Sequence, residues 1–211
     1  MIELYDVGRT LIKPFKQGYR FIAEEGHRYI DDKAALERII TFQKDRSTPL
    51  SQADFDILSD AWVEAIQNGE LPVNKQEMIY PDVKPWFQKV KQIADEIYLL
   101  TSGSKDLVDL IMGEEYGYEK ILSGSEVGDK NHPETYELLW QKYEGNIFAF
   151  FDDKPSVILA AYHGFNTAVN NPLSYPLLYL VDRKGVVSSE EAKDFKSKEI
   201  EVISSFEDID F

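Results

Sequence analysis

From about residue 80 to its end the chain repeats one unit: a short run nearly free of polar residues, then a stretch with apolar residues at helical spacing. The runs "EIYLLT", "NIFAFFD" and "PLLYLVD" are apolar at consecutive positions, so each predicted strand must be covered on both faces. Between them lie helical patterns: Trp86, Val90 and Ile93 on one face, then "KDLVDLIMGEEYG", "HPETYELLWQKYE" and "PSVILAAYHG", the last expected to stop at Gly164. "YEKILSGSEVG" reads as a short strand and loop, "FNTAVNN" as a further strand, and "VISSFEDIDF" as a last strand and cap. Strands of this kind alternating with helices imply an α/β fold, a Rossmann-like parallel sheet with helices on both faces, three layers in all.

A first strand over residues 2–5, ending at Asp6, stands apart from that series. The stretch after it is helical throughout. Phe15, Tyr19, Ile22 and Ala23 recur three and four apart, as do Leu36, Ile39, Ile40 and Phe42. "STPLSQADFDILSDAWVEAIQNG" is an amphipathic helix with Ser51 as N-cap, Asp54 three residues on, and Gly69 as its stop. The expected organisation is an α/β core from residues 1–14 and 80–211, with an all-helical domain, residues 15–79, inserted after the first strand.

Hydrophobic residues make up 43% of the 211, with 12 Phe, 12 Tyr and 3 Trp, which is enough for a packed core and excludes disorder. The net charge of −15 repels nucleic acid and anionic membranes, so neither is an expected partner, and an anionic ligand needs local positive groups or a cation. The absence of cysteine excludes disulfides, thiolate metal sites and cysteine nucleophiles. No leader-like segment opens the chain and no apolar run reaches the ~18 residues of a membrane span, so a cytoplasmic monomer or homodimer is expected.

In open α/β sheets ligands bind beyond the carboxyl ends of the strands. This chain places Asp6, Thr101 with Ser102, and Asp152 with Asp153 at those ends. Singly, each reads as a helix N-cap or turn residue. Together with Lys130 before "HPETY", they form an ordered set. "LYDVGRTL", "YLLTSGS", "DKNHPETY" and "FAFFDDKPSVILAAYHGFNTAV" resemble the four motifs of the haloacid dehalogenase superfamily, in order along nearly the whole chain.

The resemblance implies a hydrolase, of the magnesium-dependent phosphatase type, acting on a small phosphorylated metabolite. Asp6 would be the nucleophile that forms an aspartyl-phosphate. Thr101 would hydrogen-bond the phosphoryl oxygens, with Ser102 helping, and Lys130 would supply positive charge beside them. Asp6, the carbonyl of Gly8, Asp152 and Asp153 would hold Mg2+, which suits a sparse oxygen set. Arg9 would meet a substrate anion, and residues 15–79 would be the cap.

The chain departs from the pattern at Gly8, where the family's phosphatases carry a second Asp that transfers a proton. It also has Arg9 where glycine is common and Ser156 where an acid or amide is frequent. Three readings stand open: a phosphatase whose acid comes from elsewhere, with His27 one donor; a dehalogenase or phosphonatase type; or a degenerate member that binds without turnover. The remaining histidines read as bland, His132 exposed at a helix start and His163 as packing. The aromatics of residues 15–62 read as the helical block's own core and its seam with the sheet.

Overall fold

The computed structural model describes residues 1–45, 50–169 and 175–210. Six strands form one sheet: β1 (Ile2–Asp6), β2 (Glu96–Thr101), β3 (Lys120–Ser123), β4 (Ile147–Asp152), β5 (Leu177–Val181) and β6 (Ile200–Ile203). Every pairing is parallel, in the order β3-β2-β1-β4-β5-β6. The chain starts in the middle, builds outward to β3, then returns to the other side of β1. That reversal opens a crevice at the carboxyl ends of β1 and its neighbours.

Alternation along each strand feeds two cores. Leu4, Leu100, Phe150 and Leu180 point to one face, where Tyr136, Val157, Ala161, Phe165 and Phe195 cover them from α8 (Pro133–Lys142), α9 (Pro155–Ala168) and α10 (Ser189–Ser197). Tyr5, Leu99, Phe151 and Tyr179 point to the other, under Trp86, Phe87, Val108 and Ile111 of α5 (Val83–Val90) and α6 (Lys105–Met112). Across the sheet Tyr5, Phe151 and Tyr179 stack with ring centroids 4.4 and 4.6 Å apart and planes within 5°. Each such buried ring contributes about 1.5–3 kcal/mol by leaving water.

Residues between β1 and α5 form α1 (Lys16–Glu25), α2 (Lys33–Lys44), α3 (Gln52–Gln67) and α4 (Lys75–Met78), with a single turn at Gly26–Arg28. Among the described residues this stretch has no strand, as its periodicity predicts. Ser51 caps α3, its hydroxyl accepting from the Asp54 N–H, and Gly69 follows the helix with φ 74°. Residues 47–49 of the predicted helix lie outside the described residues. Ile22, Ile39, Leu58, Trp62 and Leu71 make a separate cluster, which meets the sheet layers through Leu107 of α6. The chain enters and leaves this block side by side: Lys13 N–H donates to the Met78 carbonyl (2.7 Å) and Tyr80 N–H to that of Leu11 (3.0 Å).

Several local expectations are corrected. Gly164 does not end its helix; α9 runs on to Ala168, so Phe165–Ala168 of "FNTAVNN" are helical, and Asn170 and Asn171 lie outside the described residues. A Cβ on Gly164 would overlap the Pro133 carbonyl oxygen and come within 2.8 Å of Tyr136 Cβ, so this glycine lets α8 and α9 approach. His163 is exposed, because Ala160, Ala161, Gly164 and Phe165 take the inward face of α9. Ile93 is also exposed: α5 stops at Val90, and Ala94 enters the core instead. Ala23 faces outward on α1. The segment after β3 is not all loop; α7 (Gly124–Val127) forms there, with a capping box between Ser123 and Glu126. The helix α10, opened by a capping box of Ser188 and Glu191, was not read from the sequence.

Candidate active site

Parallel register brings the acids together. Tyr5 lies opposite Phe151, so the next residues on adjacent strands, Asp6 and Asp152, end β1 and β4 side by side. Both are buried, and an oxygen of each lies within 4.8 Å of the other and of an Asp153 oxygen. Lys130 reaches in from the loop between α7 and α8. It donates to Asp6 Oδ1 and, at 3.1 Å, to Asp152 Oδ2. Its backbone is held by the Tyr136 hydroxyl, which donates to the Lys130 carbonyl at 3.0 Å.

Charge defines what this cluster can do. Two carboxylates within 4.8 Å of each other repel by about 3.5 kcal/mol or more at an effective dielectric of 20, and two of the three acids share one ammonium. Burial, reinforced by Asp6, pushes Asp152 up to about 7 and Asp153 up to about 6. Burial alone would lower the Lys130 pKa, but Asp152 and Asp6 together raise it above its ordinary value. Two buried oxygens, Asp6 Oδ2 and Asp153 Oδ1, have no hydrogen-bond partner among the described residues. A site with three acids, one base and orphaned oxygens has the donor chemistry of a divalent-cation site.

Thr101 ends β2 one residue beyond Leu100, which pairs with Asp6. Its hydroxyl oxygen accepts from the Gly103 N–H at 3.0 Å, which leaves its proton for another acceptor. Ser102 contributes its carbonyl to a cross-link, accepting from Gln52 Nε2 at 2.6 Å. Gly8 is exposed in the loop after β1, and a Cβ there would meet none of the described residues within 4 Å. Arg9, beside it, has φ 69° and places Nη1 4.0 Å from Asp153 Oδ2. Ser156 hydrogen-bonds Asn131 at 3.2 Å, and His132 sits exposed at the N-cap of α8, as expected. His27 is exposed on the Gly26–Arg28 turn.

Two residues near the site were not found from sequence. Gln52 ties α3 to the Thr101 loop, although it carries no motif and reads simply as the first residue after a cap. Arg183, after β5, donates to the Thr10 carbonyl at 2.9 Å and to Asp82 Oδ2 at 2.6 Å, fixing the loop that follows Asp6.

The family model of haloacid dehalogenase-like hydrolases matches residues 6–162, from Asp6 through most of α9. The chain belongs to that family. Among solved structures it is similar to CbbY from Rhodobacter sphaeroides in complex with phosphate, at 17% identity and TM-score 0.59, covering 98% of this chain and 95% of that one. A HAD phosphatase from Thermococcus onnurineus is 14% identical with TM-score 0.58, covering 98% and 94%. UTR4 protein from Saccharomyces cerevisiae is 14% identical with TM-score 0.57, covering 99% of both chains. At these identities the structures support the shared fold. No curated protein matches the sequence. For this haloacid dehalogenase-like hydrolase, no helix among the described residues is long and apolar enough to cross a membrane.

Proposed function

We propose that this hydrolase is a magnesium-dependent phosphatase of a small phosphorylated metabolite, with Asp6 as nucleophile. The observation that carries the reading is the convergence of Asp6, Asp152 and Asp153, the first two bonded to the buried Lys130 ammonium, with two of the acids' oxygens unpartnered among the described residues. Asp6, Asp152, Asp153 and the Gly8 carbonyl would hold Mg2+, which would neutralise the carboxylates and the bound phosphoryl oxygens.

An Asp6 carboxylate oxygen attacks phosphorus, the ester P–O bond breaks, and the organic oxygen leaves as the anion, which takes its proton from a water molecule. Water then attacks the aspartyl-phosphate, releasing inorganic phosphate and restoring Asp6. Lys130 holds the carboxylate in place and offsets its charge. Thr101 gives its free proton to a phosphoryl oxygen, with Ser102 beside it, and residues 15–79 act as a cap that excludes water. Gly8 offers no proton, so substrates with good leaving groups turn over fastest.

The test is hydrolysis of an aryl phosphate and of acetyl phosphate, with and without magnesium, by the wild type and by Asp6→Asn. Activity that needs both supports the reading; magnesium-independent activity, or activity kept by Asp6→Asn, defeats it. A second reading, a scaffold that binds a phosphorylated ligand without turnover, is favoured by the side-chain-free position 8. Silence of a folded protein on both compounds, with phosphate bound, would select it.

A further inference from the structure

Arg9 is a residue in a glycine's conformation. Its φ of 69° lies where L side chains rarely go, and the loop imposes it: Arg9 N–H donates to the Ile12 carbonyl at 2.7 Å, and Gly8 and Ile12 are bridged. The side chain is 43% exposed, so it is not locked into a core. Among the described residues the charge is held only by a long ion pair. Asp153 stands 4.0 Å away, beyond hydrogen-bond reach, and no hydrogen bond from the guanidinium to any described residue is formed. Arg183 shows the contrast: its side chain is 7% exposed and its guanidinium donates to Asp82 and the Thr10 carbonyl.

Beside Arg9 a Cβ on Gly8 would touch none of the described residues. Asp6, against which the transferred phosphoryl group must sit, is 5% exposed, so Arg9 lies at the mouth rather than at the floor. Resting on the phosphatase reading above, we infer that Arg9 is a specificity residue that binds a second anionic group, a carboxylate or another phosphoryl group, on the part of the substrate that leaves. The planar fork of donors suits either anion bidentately.

The experiment measures binding of three non-hydrolysable phosphonates to the whole chain with magnesium, by calorimetry. Methylphosphonate has no second anion; 3-phosphonopropionate adds a carboxylate; ethane-1,2-diphosphonate adds a second phosphoryl group. Wild type should bind at least one of the latter two about tenfold or more tighter than methylphosphonate, and the preferred one identifies the anion. In Arg9→Gly that ratio should fall to within about twofold of one, while Arg9→Lys keeps an intermediate value. Arg9→Gly should also melt no lower than wild type, because glycine accepts the left-handed backbone.

A wild-type ratio near one, or a ratio unchanged in Arg9→Gly, overturns the inference and leaves the phosphatase reading intact. Loss of methylphosphonate binding in Arg9→Gly places the side chain on the transferred group instead and also overturns it. If wild type binds none of the three, both the inference and the reading beneath it fail.

Discussion

The Lys130 ammonium donates to Asp152 Oδ2 at 3.1 Å in the crevice beyond β1 and β4, where the two side chains are 5% and 0% exposed. Lys130→Met therefore leaves Asp6 and Asp152 buried with no counter-charge. Unfolding in urea without metal should show a loss of about 3–5 kcal/mol, the usual cost of stranding a buried partner. A stability equal to wild type would mean the carboxylates do not depend on this ammonium.

Glu3 offers a pH test away from the site. Burial pushes it up to about 7, against the hydrogen bond that Tyr5 donates to it. Its folded pKa is above the ordinary 4.5, so the folded state holds the proton more tightly. The stability this provides is complete below pH 4.5 and is lost as pH rises through 7, by about 3 kcal/mol at about 1.4 kcal/mol per unit. Glu3→Gln should be more stable than wild type at about pH 8, with the difference vanishing near pH 4.5. Parallel denaturation curves at the two pH values decide it.

At position 8 there is room for a carboxylate, because a Cβ meets none of the described residues within 4 Å and φ is not left-handed. Gly8→Asp should fold as wild type does and raise turnover of alkyl phosphates, with a ceiling of about 10²–10⁴ for general acid–base help. Aryl phosphates, whose leaving groups need little protonation, should gain less. Equal gains on both, or none, would mean proton transfer is not what position 8 limits.

Gly164 carries a prediction of sign. In an exposed helix interior, Gly→Ala stabilises by about 0.5–1 kcal/mol. Here the added methyl would strike the Pro133 carbonyl and the Tyr136 Cβ. Gly164→Ala should therefore destabilise, by about 1–3 kcal/mol as overpacked sites do. A raised melting temperature would show that α8 and α9 can part without cost.

The sheet was legible because its strands are apolar at consecutive positions, a pattern that suits a doubly covered parallel sheet. β2, β4 and β5 lie where those runs stand, and β1, β2 and β4 each end in the polar residue that marked them: Asp6, Thr101 and Asp152. The Ser51–Asp54 cap was equally plain, being a contact between residues three apart. Gly164 misled for the complementary reason. A glycine in a helical pattern is a stop when judged from its own segment, and a close-packing point only when the facing helix is in place.

Composition and order by themselves determined the α/β class, the helical block after β1 and the strand-end positions of the acids, since each depends on periodicity within one segment. Tertiary structure decided how those residues meet: Tyr5 pairs with Phe151 so that Asp6 stands beside Asp152, Lys130 donates to both, and Gln52 and Arg183 hold the neighbouring loops. Those relations join residues tens of positions apart or more, and no local preference encodes them. They arise from strand register and helix packing, which settle only when the whole sheet closes around its two cores.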